Sequence, residues 1–567
     1  MAMDAAPKPQ THPHSFLGHA KIISALTLVS RLFGLLRETA LAAVFGKSPV
    51  AVALRISFVI PNLLRKLFGE GALSAAFIPL YSKSLKEQTP QEARAFAATS
   101  VNLLTLILLG ITIIGEIVLA LMIYFAGPDR RLDYLLTLKL SAIMLPYVVL
   151  ICLTAFLGAI LQVHRRFALP AAAPILLNVI HIAVTAFGGW LMAINLTSNP
   201  SIKLDKQIAL SMWLAAFVLV AGVGQVAMLL PSLRAIGFRF SVRDALWTPA
   251  IKRMLWLSIP VALAAGVLQI SVLMDTGISA ALAASVDAHN NPVDHFTLFG
   301  HVFRYPMEAG APVRLNWAQF LYQFPLGIFA IALATAIFPG LSSDALEKDR
   351  SRFSQTLHTG IEATLFEGIA ASIGLIVVRH QAIRLFYGYG EVTAHDLQLT
   401  ANSLVLYASG IWAYSMQQII NRAYYALHDT KTPFVMSIVN IGINLMVELP
   451  LVFTSLGESA MAAGTVVSFA VQSLLMLYML RSRVGGLGLA SLARSAGKMI
   501  LAAGLMWGTC VAIQWTPFWP HGTGKMVSLA QLVLLMAIGG GVYLGTCQAV
   551  GVRTLSELLH RQSKQPA

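Results

Sequence analysis

The sequence predicts an all-α, polytopic membrane protein of about fourteen transmembrane helices, because its composition is apolar and its apolar segments are long enough to span a bilayer. Of the 567 residues, 57% are hydrophobic and only 11% are charged, and the mean hydropathy is +0.72. A soluble domain carries about 25% charged residues. Lipid is therefore the expected solvent for much of the surface.

The predicted spans include three that we treat as single continuous helices, at 50–82, 134–163 and 315–342. The first two spans of the chain, at 20–46 and 50–82, contain several charges and score weakly on hydropathy alone. The distribution of charge between the loops tests the count of spans.

Lysine and arginine are concentrated in alternate loops. Arg165 and Arg166 belong to a basic loop, whereas Lys47 and Lys525 stand in loops with few basic residues. Cytoplasmic loops carry the excess of basic residues, so we expect a multi-pass membrane protein with both termini in the cytoplasm. The longest polar interruption, 285–313, then falls outside, as a small hairpin or a flexible loop.

The net charge of +15 has two explanations, basic cytoplasmic loops or a basic path for an anion. Nucleic acid is a poor partner, because the basic residues are dispersed between apolar spans. Cys152, Cys510 and Cys547 lie in apolar stretches without metal-ligand spacing. The sequence also lacks a phosphate-binding loop and a nucleophile–base arrangement, so we expect no enzyme, no metal and no cofactor.

Prolines recur at a near-constant distance along the chain. Pro325, Pro339 and Pro433 follow Pro61, Pro79 and Pro170 by 264, 260 and 263 residues. Chance is the alternative, since proline is frequent in membrane helices. The similar offsets favour two pseudo-symmetric six-helix lobes, related as parallel repeats around a cavity. The predicted division is a cytoplasmic tail at 1–19, lobes at 20–240 and 241–485, two C-terminal helices at 486–551 and a cytoplasmic tail at 552–567.

Charged residues within the first span predict a polar cavity. An ionisable side chain at mid-membrane depth costs about 2.5–3.5 kcal/mol on insertion scales, so it usually faces a cavity or a partner. Arg31, Gly34 and Glu38 share one helix face by their spacing, and Ser30 and Arg37 flank it. We expect this face to line a hydrated space.

The second span repeats the pattern. Asn62, Lys66 and Glu70 stack one turn apart, with Arg65 beside them. For Glu38 and Glu70, a substrate role and internal ion pairs, Arg31 with Glu38 and Lys66 with Glu70, remain equal alternatives.

A substrate role is favoured for Arg31, Arg37 and Arg65, because basic residues outnumber the local acids. A guanidinium stays charged and offers a planar fork of donors that matches phosphate oxygens. A cationic cavity would lower the barrier that hydrocarbon presents to a diphosphate headgroup.

Other polar residues are weaker candidates. Asp275 is a candidate site for a coupling cation, or else a partner for an arginine. For Glu448 we favour snorkelling near a helix end. For His181, with Asn178, we favour an interhelical hydrogen bond over a proton relay.

Two motifs carry a resemblance to a known family. They are Ser30-Arg31-x-x-Gly34-x-x-Arg37-Glu38 and the run from Pro61-Asn62-Leu63-Leu64-Arg65-Lys66 to Phe77-x-Pro79. Shorter matches are Gln323-Phe324-Pro325-Leu326-Gly327 and the run from Tyr424-Tyr425-Ala426 to Asp429-Thr430-Lys431-Thr432-Pro433. Together they resemble the MurJ/MviN family of lipid II flippases over nearly the whole chain.

The resemblance implies a two-lobed fold of the multidrug/oligosaccharidyl-lipid/polysaccharide exporter superfamily, in the bacterial inner membrane. It implies a cationic cavity for the headgroup of lipid II, a precursor of peptidoglycan in cell-wall biogenesis, and a groove by the last two helices for its polyprenyl tail. The expected partners are this lipid, other membrane lipids and proteins of peptidoglycan synthesis or division. The predicted substrate contacts are Ser30, Arg31, Arg37, Glu38, Asn62, Arg65, Lys66, Glu70, Arg314 and Gln323.

The chain departs from the family at two positions. Val52 and Ala53 stand where the family commonly has an Asp, with Arg55 one turn later, and Phe320 stands where it commonly has an Arg. Arg314 is a candidate replacement for that arginine. The departures keep open a flippase for another polyprenyl-diphosphate oligosaccharide, or a non-transporting paralogue in wall synthesis.

Overall fold

Long α-helices make up nearly all of the structure, a computed structural model that describes residues 13–69, 72–127, 130–240, 247–287, 289–347, 350–517, 519–522 and 524–552. The helices of the first half are α1 (Pro13–Phe45), α2 (Pro49–Leu64), α3 (Ala72–Glu87), α4 (Pro90–Phe125), α5 (Leu132–Met144), α6 (Tyr147–Val163), α7 (Ala168–Leu191), α8 (Pro200–Ala235) and α9 (Pro249–Ala281). Those of the second half are α10 (Ala311–Pro325), α11 (Ile331–Asp344), α12 (Ser351–Tyr387), α13 (Ala394–Ser409), α14 (Ile411–Ala426), α15 (Lys431–Leu451), α16 (Ser459–Arg483), α17 (Leu489–Ile513) and α18 (Lys525–Ala549). The prediction of an all-α polytopic membrane protein is confirmed.

Fewer helices than predicted have the length and composition of a membrane span within the described ranges. Within the described ranges, nine helical segments are long and apolar enough to cross a membrane, or ten if the bent pair α5–α6 forms one span. The predicted count of fourteen is not confirmed. Helices α13 and α14 have 16 residues each, fewer than the ~20 that a straight span needs.

The three spans predicted as continuous are each interrupted, which corrects the sequence-based expectation. Helix α2 passes into a π-helical turn at Arg65–Gly69, and α10 passes into another at Leu326–Ala330. Helices α5 and α6 are bent by 48° near Pro146, which has no backbone N–H to continue the helix. Because the π turns begin at residues 65 and 326, their separation matches the proline offsets and supports an internal duplication.

Helix starts follow local chemistry that the sequence displays. Ser48, Thr89, Asn199 and Thr248 each cap a helix whose first residue is proline. In each case the side-chain oxygen accepts a backbone N–H of the first turn, while proline at the first position loses no hydrogen bond.

The buried apolar residues form three clusters. One lies within the first half, one within the second half, and the third joins residues of α1 and α2 to helices of the second half. Ile251 and Met254 belong to the first cluster, so the start of α9 packs on the N-terminal lobe although the predicted boundary was at 240. The third cluster is the apolar part of the contact between the lobes.

The polar stretch between α9 and α10 forms two antiparallel hairpins, one of the two alternatives that the sequence left open. Strands β1 (Ser285–Val286) and β2 (Pro292–Val293) pair, as do β3 (His295–Leu298) and β4 (His301–Arg304). Hydrogen bonds from Asn291 hold the pKa of the Asp287 carboxyl below its usual value, and the bond from the Asn291 side chain has the largest effect. We call the end of the molecule that carries these strands the hairpin face.

Candidate functional site

A cavity of about 810 Å³ lies between the two halves of the chain. Helices α1, α2, α6 and α7 form one wall, α10, α15 and α16 form most of the other, and α9 contributes residues between them. The volume falls within the ~300–1,000 Å³ range of ligand sites.

The cationic charge of the cavity comes from one wall. The basic residues that line it in the described part of the chain are Arg31, Arg37, Arg55, Arg65 and Lys66, all from α1, α2 and the first π turn. Asp275 is the one acidic lining residue within the described ranges. The wall therefore attracts anions.

Hydrogen bonds to Asn178 and Glu38 hold the Arg37 guanidinium in place. Its Nη1 donates to Asn178 Oδ1 on α7 at 3.1 Å, and its Nη2 donates to Glu38 Oε1 at 2.7 Å. Asn178 in turn donates to the Ser30 carbonyl at 3.3 Å. The buried Arg37 Nε has no hydrogen-bond partner among the described residues.

Glu38 links the cationic wall to the opposite lobe. The ion pair that it forms is with Arg37, not with Arg31 as the sequence alternative proposed. Its second carboxylate oxygen accepts a hydrogen bond from Asn316 Nδ2 on α10 at 3.0 Å. Arg55 lies near enough to interact favourably with the same carboxylate. A second, small pocket of about 70 Å³ is lined in part by Arg37, Glu38, Arg55 and Asn316.

Arg65 and Lys66 lie at the start of the π turn, where helix geometry changes. Arg65 donates to Asn62 Oδ1 through Nε at 3.3 Å and through Nη2 at 2.8 Å. Asn62 thus orients the guanidinium along the cavity wall. Glu70, the predicted partner of Lys66, lies outside the described residues.

Arg31 reaches across the cavity to the second π turn. A Cβ atom built on Gly327 would overlap the Arg31 guanidinium. The close approach therefore requires glycine at position 327 for a steric reason. Gln323, one turn earlier, also lines the cavity, as the sequence predicted.

The prediction that Arg314 contacts the substrate does not fit its position in the structure. It does not line the cavity, and its side chain is fully buried among acids. Its Nε donates to Glu458 Oε1 at 3.0 Å, its Nη1 to Asp396 Oδ1 at 3.2 Å and its Nη1 also to the Ala309 carbonyl at 2.8 Å. Carboxylate partners already neutralise this guanidinium, so in this conformation it cannot replace the arginine that the family has at Phe320.

Asp275 lies on the cavity beside a second carboxylate. Asn444 Nδ2 donates to Asp275 Oδ1 at 2.9 Å and to Glu448 Oε2 at 3.2 Å. Glu448 is fully buried, which corrects the snorkelling interpretation. The predicted alternative of an arginine partner for Asp275 finds no ion pair among the described residues. The two carboxylates meet at Asn444 Nδ2, and carboxylate oxygens are the ligands that a hard cation prefers.

The interhelical hydrogen bond predicted for His181 is absent from the described part of the chain. Both ring nitrogens are buried without a partner, and the ring packs edge-on against Phe58 with 5.9 Å between centroids. Asn178 pairs instead with Arg37. The two side chains therefore meet different neighbours, although they lie on the same helix.

The two lobes meet on the hairpin face. Lys47 pairs with Asp396 at 3.1 Å, and Lys203 pairs with Glu391 at 3.1 Å. The Glu391 backbone N–H also donates to the Ala43 carbonyl at 3.1 Å. Within the described ranges, every ion pair between the lobes lies on this face, so the cavity is closed there.

Sequence reasoning missed three residues of the site. Arg55 was noted only as a departure from the family, although a charge in an apolar helix is itself a signal. Asn316 and Asn440 are neutral and gave no signal, because an amide in a membrane helix has many structural explanations. Val52 and Ala53 are buried in the core, whereas Phe320 lines the cavity.

Three sequence comparisons relate the chain to one family of membrane proteins. Residues 41–534 match the family described as "Lipid II flippase MurJ". A protein of Rhizobium meliloti (strain 1021) named "Probable lipid II flippase MurJ" is 29% identical over 96% of both chains. A protein of Burkholderia cenocepacia named "Lipid II flippase MurJ" is 27% identical over 94% of this chain and 96% of its own.

Solved structures agree on the fold. A lipid II flippase MurJ in an inward closed conformation has a TM-score of 0.69 at 24% identity and covers 93% of this chain and 98% of its own. An inward-facing multidrug transporter of the MATE family, from the MOP superfamily, has a TM-score of 0.63 at 12% identity, with 83% and 99% covered. On the match of its sequence across both lobes, the chain belongs to the lipid II flippase MurJ family.

Proposed function

We propose that the protein flips lipid II from the cytoplasmic to the outer leaflet of the inner membrane by alternating access. The observation that carries this proposal is the concentration of Arg31, Arg37, Arg55, Arg65 and Lys66 on one wall of a closed-ended cavity between two lobes. Family membership and the names of the relatives support the choice of substrate.

The diphosphate is the part of the substrate that this wall is suited to hold. Guanidinium groups donate to phosphate oxygens in pairs, and these bonds are stronger in a cavity than in bulk water. Arg37 Nε offers a buried donor without a partner among the described residues. No bond is made or broken in this step, since the cavity only replaces the water that solvates the headgroup.

The conformation fits loading from the cytoplasm. Lys47–Asp396 and Lys203–Glu391 close the hairpin face, which the distribution of basic loops assigns to the outside. On this basis both termini are cytoplasmic. Release would require these inter-lobe pairs to separate while the lobes close at the opposite end.

Asp275 is our candidate for coupling to a cation. Asp275 on α9 and Glu448 on α15 both accept a hydrogen bond from Asn444 Nδ2, so two carboxylates meet there, and Asp275 lines the cavity. A bound cation would offset the repulsion between the two carboxylates and hold α9 against α15. Occupancy could thereby bias one orientation of the lobes.

The lipid tail is assigned to the surface of α17 and α18. These helices pack on α12, where Tyr543 donates to the Phe366 carbonyl at 2.8 Å and Ser495 donates to Glu362 at 2.6 Å. Exposed apolar side chains on both helices, such as Leu501 and Val533, suit contact with a polyprenyl chain. Contact with proteins of peptidoglycan synthesis or division remains a prediction.

Complementation of a bacterium depleted of its lipid II flippase tests the proposal. The wild-type chain should restore growth, whereas Arg31→Ala and Arg65→Ala should fail although they insert at normal levels. Arg352→Ala is the matched control, because Arg352 is exposed and its surface pair with Glu347 contributes little. Normal growth with both cavity variants would refute the cationic-wall role.

Substrate identity needs a separate measurement, since every polyprenyl-diphosphate sugar presents the same diphosphate. In proteoliposomes, unlabelled lipid II should compete with labelled lipid II more effectively than other lipid-linked oligosaccharides do. Equal competition by all of them would favour the broader flippase. Failure of the well-expressed wild type to restore growth or move any of these lipids would favour the non-transporting paralogue.

A further inference from the structure

The two walls of the cavity differ in charge. The residues that α10, α13, α15 and α16 contribute to the lining include no charged side chain within the described ranges. They are amides, hydroxyls, aromatic rings and a few aliphatic groups. The wall of the C-terminal lobe, which we call the neutral wall, therefore cannot serve the diphosphate as the arginines do.

The neutral wall contains an amide that lacks a partner. Asn440 lines the cavity from α15, is only 6% exposed, and its Nδ2 finds no hydrogen bond among the described residues. A buried donor without a partner costs about 1–3 kcal/mol. Such a cost in a cavity wall is explained if a ligand supplies an acceptor there.

Three hydroxyls line the same cavity from α15 and α16. Ser437, Thr465 and Ser468 donate to backbone carbonyls of their own helices, at 2.8, 2.9 and 3.0 Å. Because each hydroxyl proton is engaged, its oxygen presents lone pairs to the cavity. Ser437 precedes Asn440 by three residues, and Ser468 follows Thr465 by three, so each pair shares one helix face.

This uncharged set of amides and hydroxyls discriminates between ligand classes. An anionic group only accepts hydrogen bonds, and it would meet lone pairs and no cation on the neutral wall. A sugar hydroxyl or an acetamido group both donates and accepts, and it can satisfy Asn440 and the hydroxyls together.

Phe320 adds to the difference in charge between the two walls. It stands on the cavity at the position where resemblance to the family leads one to expect arginine. Tyr322 and Tyr407 on the same wall stack at 5.0 Å between centroids. Flat apolar rings beside amides and hydroxyls suit the C–H faces and polar edges of a sugar ring.

We infer that the neutral wall is a carbohydrate subsite, in which Asn440, Ser437, Thr465 and Ser468 bind hydroxyl or acetamido groups of an uncharged sugar and Phe320 contacts its apolar face. The inference rests on the proposed function, since the sugar is the one attached to the diphosphate that the arginines hold. It makes Phe320 and Asn440 determinants of headgroup specificity in this chain.

Binding of two synthetic ligands to the purified full chain in nanodiscs tests this subsite. One probe is a short-chain polyprenyl diphosphate without sugar, and the other is the same lipid diphosphate carrying an N-acetylated disaccharide without peptide. The variant is Asn440→Leu, which keeps the volume and removes the amide. The control is Asn402→Leu, at an exposed asparagine of α13 outside the cavity lining.

Asn440→Leu should weaken binding of the glycosylated probe about tenfold, the equivalent of one buried hydrogen bond, and change binding of the sugar-free diphosphate less than about twofold. Asn402→Leu should alter neither affinity. Thr465→Val repeats the test should Asn440→Leu fold poorly. Equal losses for both probes, or no loss for either, would overturn the subsite.

The outcomes separate the two proposals. If the wild type binds the sugar-free diphosphate in a manner that Arg31→Ala abolishes, while neither Asn440→Leu nor Thr465→Val affects the glycosylated probe selectively, only the subsite fails. If the wild type binds neither probe, the proposed function fails, and the subsite fails with it. Phe320→Arg provides a further check, since it should favour the sugar-free diphosphate over the glycosylated probe.

Discussion

Glu38 on α1 and Asn316 on α10 form a hydrogen bond of 3.0 Å that crosses from one lobe to the other. The same carboxylate pairs with Arg37, a member of the cationic wall. A ligand that competes with Glu38 for Arg37 therefore acts on Glu38, the residue whose hydrogen bond to Asn316 joins the lobes near the hairpin face.

Asn316→Ala should favour the state in which the hairpin face is open. Loss of one hydrogen bond between the lobes is worth about 1 kcal/mol, or roughly a fivefold change in the ratio of the two states. Val392, partly buried at this face, can be replaced by cysteine as a reporter. Labelling by a membrane-impermeant maleimide from outside should be faster in V392C/N316A than in V392C. Identical labelling rates would contradict the role given to Asn316.

Removal of both Lys47 and Lys203 should favour the open hairpin face more than Asn316→Ala does. The Lys203–Glu391 pair is partly exposed and contributes only about 0.2–1 kcal/mol. Asp396 keeps Arg314 as a partner when Lys47 is removed, so the double variant K47A/K203A is needed for a clear effect. We expect faster labelling of V392C and a dependence on salt concentration in the wild type that the double variant lacks. The control is K83A, since Lys83 pairs on the surface with Glu87 in its own helix; an equal effect of K83A would argue against an inter-lobe gate.

Arg314→Ala should lower stability before it affects substrate binding. Removal of one partner of a buried ion pair costs about 3–5 kcal/mol, because Glu458 would remain buried without its cation. Thermal unfolding of the detergent-solubilised protein should shift well below the wild-type midpoint, whereas R352A should match the wild type. A stable R314A protein with a selective loss of diphosphate binding would restore Arg314 to the list of substrate contacts.

Gly327→Ala should displace the Arg31 side chain and reduce transport without preventing folding. The added methyl group meets the flexible end of an arginine and not a rigid backbone. Gly340→Ala is the matched control on the next helix, since its Cβ would find the Thr356 methyl group at an ordinary 3.8 Å. Transport in proteoliposomes should fall in G327A and persist in G340A. Equal activity of the two variants would mean that the position of Arg31 is not critical.

Local patterns in the sequence predicted the part of the site that lies on single helices. The spacing of Arg31 and Gly34 and of Asn62 and Lys66 placed these residues on one face of each helix, and all four line the cavity. Helical periodicity suffices for this inference because side chains three or four residues apart point in similar directions. It could not reveal the π turn at Arg65–Gly69, since a single inserted residue leaves the hydropathy of the segment unchanged.

The amino-acid sequence by itself determined the class of protein, its apolar helices and the surplus of arginine in the first two spans, and it predicted an internal duplication. Those features depend on composition and short-range spacing. The tertiary structure alone decided which charges remain available. It neutralised Arg314 with Glu458 and Asp396, brought Asn316 to Glu38, and left Asn440 facing the cavity without a partner among the described residues. These contacts join helices that are far apart in the chain, and the energy of a buried polar group depends on the neighbours that packing supplies.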